Sequence, residues 1–341
     1  MSNVLVTGGC GFVGSHLVYL LKKKGFFVRV LDIRVPTNPI QDVEYHKGSI
    51  LETQDIKSAL KDMEYLYHVA ANPNLWAKNK KDFLSVNYIG TKNVLRVAEE
   101  MPLEKIIYTS TESILSSARQ SKRSGMTDET VTPMLSEMPG PYCRSKLLAE
   151  QEAFLAFKRG VPISIVNPTL PIGPGDQQLT PPSRMILDFL NGDNPAFLEA
   201  TFNLIDVRDV AMGHYLAMVH GKPGQRYILG GENLRLSEIL KLLERMTGLP
   251  MPQRQVPYWV ALTAATISEI IADITKKPPR APLTGVRLAA NPMAFNTAKA
   301  RQELGLIVRP VIQSFQDMIA WFQEQGYLKR RLSNNSHESA V

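Results

Sequence analysis

The sequence predicts an α/β fold in which a mostly parallel sheet is covered by helices on both faces. Three observations carry that prediction. Short β-rich apolar runs alternate with helical periodicity through the first half of the chain, the pattern of strands buried on both sides. A glycine-rich turn stands between the first strand and the first helix. Beyond residue 168 the regular alternation gives way to a Pro- and Gly-rich stretch and a different texture, so a less regular part follows the sheet.

Residues 4–7 form the first strand and 16–24 the first helix, with apolar residues at helical spacing. Strands follow at 27–32 and 43–46, then a helix over 53–60. Residues 65–70 make the fourth strand, 87–99 a long helix and 105–110 the fifth strand. A helix over 142–158 leads to another buried strand at 162–167. Parallel neighbours need crossovers, here the helices, and the crossover hand is then nearly invariant. Residues 168–176 read as a loop, 184–190 as a helix, and 203–207 as a strand feeding the helix 210–219. A strand at 227–229, a helix at 236–247, an apolar helical stretch at 256–274 and a helix at 311–325 complete the order. The polar, basic residues 327–341 lack periodicity and read as a flexible basic tail.

The formal charge of +7 is concentrated in short clusters at residues 22–24, 78–81 and 329–331. These are solvated faces or attractors for an anionic cofactor, membrane surface or acidic substrate. No basic stripe is interleaved with aromatics, so nucleic acid is not an expected partner. The two cysteines, Cys10 and Cys143, fall inside the motifs described next, which argues against a structural disulfide and for a reducing, cytoplasmic compartment. The first strand begins too early to leave room for a signal peptide. No run reaches the roughly 18–20 apolar residues that span a bilayer; the stretch at 256–274 is interrupted by Pro257, Glu269 and Asp273. Six scattered histidines without ligand spacing give no support for a catalytic metal.

Residues 7–14 read TGGCGFVG. A strand, then Gly8, Gly11 and Gly14, then a helix is the arrangement that binds a dinucleotide. The first glycine permits the turn, the second lets the backbone approach the pyrophosphate and the third allows close helix–strand packing. Asp32 ends the next strand. A carboxylate there accepts bonds from both ribose hydroxyls and repels a 2′-phosphate, so NAD is the expected cofactor. Arg34 keeps NADP open: it faces a 2′-phosphate or is a solvated surface arginine.

Tyr142 and Lys146 stand four residues apart, on one helical face. A tyrosine with its ordinary pKa of about 10 is a poor base at neutral pH, and a nearby ammonium together with an oxidised nicotinamide favours the phenolate. The fifth strand runs into Thr109, Ser110 and Thr111. Thr111 is the best third member, with Ser110 competing to hydrogen-bond the substrate oxygen. Glu112 is either a solvent-facing or salt-bridged carboxylate or an extra acid or base beside the substrate. The small residues Ala70 and Ala71 end the fourth strand, where backbone approaches the cofactor, whereas His68 reads as a core histidine. Asn87 is a helix cap or a cofactor-side donor.

Together with His68–Ala71, 87–91, 108–111, 142–146 and 203–211, the glycine motif resembles the extended short-chain dehydrogenase/reductase family over nearly the whole chain to about residue 326. The pattern is most similar to the branch holding dihydroflavonol-reductase-like and 3β-hydroxysteroid-dehydrogenase-like proteins. Within it, 167–175 and 226–233 are similar to bacterial hopanoid-associated sugar epimerase-like proteins. The resemblance implies a Rossmann-type doubly wound parallel sheet with a smaller, discontinuous C-terminal substrate domain. Residues 1–167 plus about 203–220 would bind NAD(P), and about 168–202 plus 221–326 the substrate. It implies that Thr111, Tyr142 and Lys146 are catalytic, that Asn87 and Asn167 line the cleft, and that Phe12, Val13, Ser49, Ile50 and Pro168 join the cofactor contacts. Two positions depart from the family: Ser49 stands where an adenine-side Asp is usual, and Glu112 where small or hydrophobic residues are. Glu112 is followed by Ser113, so only half of the acidic pair of the dehydratases is present.

The expected activity is interconversion of a secondary alcohol and a ketone by hydride transfer, with Tyr142 moving the proton. The apolar stretch at 256–274 is core, a lid, or a face touching a membrane peripherally, and it favours a sterol-, triterpenoid- or flavonoid-like substrate. The alternatives are a nucleotide-sugar epimerase, a dehydratase, and a protein that binds the cofactor without turnover. The family implies a homodimer.

Overall fold

A computed structural model describes residues 2–116 and 126–332. Strands β1 (Asn3–Thr7), β2 (Phe27–Asp32), β3 (Val43–Lys47), β4 (Tyr65–His68), β5 (Lys105–Thr109), β6 (Ile163–Pro168) and β10 (Arg226–Leu229) form a seven-stranded sheet in the order β10-β6-β5-β4-β1-β2-β3. Every pairing in it is parallel, with Val4 opposite Val28 on one side and Tyr65 on the other. The order reverses at β1, which has β2 and β4 as neighbours, so a crevice opens beyond the C-terminal ends of β1 and β4.

Alternation within the strands explains why both faces need cover. In β1, Leu5 enters one apolar cluster while Val4 and Val6 enter the other; in β5, Ile106 and Tyr108 part from Ile107 in the same way. Helices α2 (Thr53–Leu60), α3 (Thr91–Glu99) and α4 (Pro141–Lys158) cover the first face through Ile56, Val94, Leu95, Ala149 and Ala153. Helices α1 (Phe12–Lys23) and α6 (Val207–His220) cover the second through Leu17, Leu21, Val210 and Ala211. Each large aliphatic side chain so buried contributes about 1.5–3 kcal/mol.

The short strands β7 (Leu170–Ile172), β9 (Thr201–Asp206) and β11 (Glu232–Arg235) form a second sheet, and β8 (Ala196–Phe197) pairs with β12 (Arg254–Gln255). With α5 (Pro181–Leu190), α7 (Leu236–Thr247) and α11 (Val311–Glu324) they enclose a separate apolar cluster centred on Ile239, Leu243, Phe315 and Phe322. Helices α8 (Tyr258–Thr275) and α9 (Leu283–Ala289) form a hairpin, and α10 (Ala298–Leu304) packs on α6.

Several boundaries differ from expectation for local reasons. Helix α1 starts at Phe12 rather than residue 16, because Gly11 is extended and serves as its N-cap. The helix expected from residue 87 begins at Phe83 as a π-helical stretch, Phe83–Gly90, so Asn87 lies inside it and is no cap. Residues 168–176, expected as loop, contain β7. The apolar stretch at 256–274 is not core: Trp259, Ile267, Ile270, Ile271 and Ile274 of α8 are exposed. Residues 327–332, expected to begin a flexible tail, are docked. The Tyr327 carbonyl accepts from Asn191, the Lys329 amide donates to Asn191 Oδ1, and Leu328 and Leu332 pack on the cluster around Phe315 and Phe322. The remaining tail, 333–341, lies outside the described residues. Among the described residues, no helix is long and apolar enough to cross a membrane.

Candidate active site

The predicted site residues collect at the C-terminal ends of the parallel strands. Gly8 follows β1, Asp32 ends β2, Ser49 and Ile50 follow β3, Ala70 and Ala71 follow β4, Thr111 follows β5, and Asn167 and Pro168 end β6. Sequence places them far apart; the sheet puts them along one edge.

The glycines behave as the motif requires. Gly8 has φ +72°, and a Cβ on it would fall 2.6 Å from Ala70 Cα, so the turn and the approach to β4 both demand glycine. A Cβ on Gly14 would fall 2.1 Å from the Gly8 carbonyl oxygen, locking α1 against the turn. Gly9, not singled out from sequence, packs on Val30. Helix α1 has neither a side-chain cap nor an acidic residue in its first turn, so the amides of Phe12, Val13 and Gly14 remain available to an anion. Asp32 Oδ2 accepts from the Cys10 amide at 3.0 Å and Oδ1 from the Arg34 amide at 3.1 Å. The carboxylate is thereby aimed beside the glycine turn, and Arg34 is held by its backbone while its side chain is exposed. Burial and the Asp32 charge push the Cys10 thiol up to about 12, so it is no nucleophile at neutral pH. A dinucleotide fits this donor set: free amides for pyrophosphate, and a fixed carboxylate for ribose hydroxyls.

Ser49 donates its amide to Asp55 Oδ2 at 2.8 Å, while its hydroxyl accepts from the Leu51 amide. Ile50 is buried against Gly90. Pro168 is buried in register with Leu229.

A polar network ties the strand ends to α4. Asn87 accepts from the Asn72 amide at 2.7 Å and donates to the Asn72 carbonyl and to Ser145 Oγ at 3.1 Å. Thr91 donates to the Asn87 carbonyl and therefore accepts from His68 Nε2, whose other nitrogen accepts from Thr7 at 2.8 Å. Burial, with the Lys146 charge, holds the His68 pKa down at about 3. It is a neutral core histidine, as read from sequence.

The first turns of α4 carry Tyr142 and Lys146. Lys146 Nζ donates to the Thr109 carbonyl at 2.7 Å and to Tyr108 Oη at 3.2 Å, above whose ring it also sits. Burial lowers its pKa to about 8, opposed by the Glu150 charge. Burial first, then the Glu112 charge, hold the Tyr142 phenol well above its ordinary value, while hydrogen bonding to Thr111 works the other way. The Lys146 ammonium is turned onto Thr109 and Tyr108, and Glu112 supplies the charge that acts on the phenol.

Thr111 donates to Glu112 Oε2 at 2.8 Å, and Ser113 Oγ donates to Oε1 at 3.2 Å. Glu112 is only 5% exposed, so it does not face solvent. Burial raises its pKa to about 7, opposed by bonds from Thr111 and Ser113.

Sequence reasoning missed the buried pair behind Thr111. Glu150 Oε1 meets Arg226 Nη2 at 2.5 Å, and Glu150 Oε2 accepts from Asn167 Nδ2, which also donates to the Thr111 carbonyl at 3.0 Å. Asn167 thus positions Thr111. The available signal was Glu150 itself, one turn beyond Lys146 on the same buried face.

Comparison with known proteins agrees with this geometry. Residues 4–230 match the family described as the NAD dependent epimerase/dehydratase family. The chain is 40% identical over 332 residues to a putative dihydroflavonol 4-reductase of Synechocystis, covering 95% of each chain. It is 30% identical over 331 residues to sterol demethylase protein B of Methylococcus capsulatus, covering 95% of this chain and 99% of that one. The crystal structure of gox2253 superposes with a TM-score of 0.83 at 35% identity, covering 96% of this chain and 100% of that one.

Proposed function

The chain belongs to the NAD-dependent epimerase/dehydratase family, and within it we propose that it is a dehydrogenase or reductase interconverting a secondary alcohol and a ketone on a bulky apolar substrate. NAD, when bound, supplies the hydride acceptor or donor. Tyr142 exchanges the hydroxyl proton, Thr111 steadies the substrate oxygen, and Lys146 holds the nicotinamide-side ribose and the charge balance. Asp32 selects NAD over NADP. Residues 1–167 with about 203–220 hold the cofactor, and about 168–202 with 221–326 hold the substrate.

The observation that carries the substrate class is the wall beside the phenol. Tyr142 packs with Leu75, Leu170 and Phe202 against a cluster containing Ile114, Leu288, Met293 and Phe295. Apolar packing of this kind around the tyrosine ring suits a fused-ring or long hydrocarbon skeleton better than a sugar. The likeness to sterol demethylase protein B points the same way. A homodimer using exposed apolar residues such as Leu84, Ile89 and Leu155 accompanies the reading.

The test follows reduced nicotinamide by absorbance beside product formation, on sterol-like alcohols and nucleotide sugars. One reduced cofactor per product supports the dehydrogenase. Product without net reduced cofactor overturns it in favour of an epimerase, with product mass excluding a dehydratase.

A further inference from the structure

Helix α8 is amphipathic in the inverted sense. Its carboxylates lie beside the protein, Glu269 largely covered and Asp273 at the exposed border: both pair with Lys80, at 3.0 and 2.6 Å, Asp273 accepts from Trp76 Nε1, and Glu269 accepts from the Leu283 amide. Ala265 and Ala272 are buried on that side. The outward face carries Trp259, 70% exposed, then Ile267, Ile270 and Ile271, and finally Ile274 at 76%. Four isoleucines exposed between 267 and 274 make a face that a covering phase would bury.

The surrounding charge says which. Lys276, Lys277 and Arg280 follow the helix and are exposed, and Lys78 and Lys81 are exposed on the segment packed beside it. Lys80 offsets one of the two carboxylate charges on the helix, and Lys78, Lys81, Lys276, Lys277 and Arg280 leave the surround net positive. Hydrophobic side chains rimmed by an excess of cations match an anionic lipid headgroup layer over hydrocarbon. An indole at one end suits the polar–apolar boundary.

We propose that α8 is a membrane-docking element that lies in the surface of an anionic bilayer without crossing it. The hairpin partner α9 ties this surface to the catalytic helix. Thr284 is packed against Gly140, where a Cβ would fall 2.2 Å from its Oγ1, and Arg287 donates to the Pro139 carbonyl. Docking therefore sets the bilayer beside the end of α4 that carries Tyr142. The inference concerns the surface alone and holds whichever alcohol the site takes.

The test sediments the full chain with vesicles of phosphatidylcholine containing phosphatidylglycerol, and with phosphatidylcholine alone, and reads Trp259 quenching by brominated acyl chains against a Trp259→Phe control. The expected result is binding and quenching on the anionic vesicles, abolished by Ile267→Ser/Ile270→Ser/Ile274→Ser. Lys276→Glu/Lys277→Glu/Arg280→Glu should weaken binding on the order of 100-fold at low salt. These side chains are exposed, so circular dichroism should remain that of the parent. Absence of sedimentation, or binding indifferent to both triple variants, overturns the proposal. So does a dimer in analytical ultracentrifugation that the serine variant dissociates while Trp259 stays unquenched, since a second copy then covers the face. None of these readings depends on turnover, so loss of the dehydrogenase assignment leaves them intact.

Discussion

The Thr111 hydroxyl donates to Glu112 Oε2 at 2.8 Å, which places a buried carboxylate directly behind the residue assigned to the substrate oxygen. Burial raises the Glu112 pKa from 4.5 to about 7. Its folded-state pKa therefore exceeds the unfolded one. Folding is favoured at low pH, where both states are protonated, and loses stability as pH rises from about 4.5 to about 7. That shift corresponds to about 3 kcal/mol. Chemical denaturation of Glu112→Gln across this range should show a flatter stability profile than the parent. An unchanged difference between the two proteins would contradict the burial argument.

The same substitution reaches the phenol. An ionised Glu112 raises the Tyr142 pKa, so removing the charge should move the ascending limb of the kcat/KM profile for alcohol oxidation, where the phenol loses its proton, to lower pH. A limb that stays in place would separate Glu112 from Tyr142.

Tyr142→Phe should lower kcat by about 10²–10⁴ while leaving NAD affinity close to the parent. Isothermal titration beside steady-state kinetics distinguishes this from misfolding, because general acid–base loss does not touch the glycine turn.

Asp32 is fixed by two backbone amides, and in the proposed function its charge meets the cofactor ribose. Asp32→Ser should reduce the preference for NAD over NADP by about 10–100-fold, the value of a charge-assisted hydrogen bond. The ratio of kcat/KM values for the two cofactors measures it.

Arg226→Ala leaves Glu150 charged and buried, and loosens the Asn167 bond that holds the Thr111 carbonyl. Removing one member of a buried pair costs about 3–5 kcal/mol. Thermal unfolding should register a clear fall in Tm, and Glu150→Gln/Arg226→Met should recover part of it.

The strand–helix order and the glycine turn were legible in the sequence because they rest on local rules. Leu5 against Val4 and Val6 alternates with the pleat, and Gly8 adopts a backbone conformation that other residues rarely take. Tyr142 and Lys146 were legible because their spacing is helical. Tertiary structure decided the rest. A carboxylate in the sequence does not reveal whether water or protein surrounds it, and only packing buried Glu112 and paired Glu150 with Arg226 across 76 residues. The outward apolar face of α8 followed from the same limit. Helical periodicity gives the relative angle of Ile270 and Glu269, but which side meets the protein is set by Lys80, Trp76 and α9, and those partners exist only once the chain has folded.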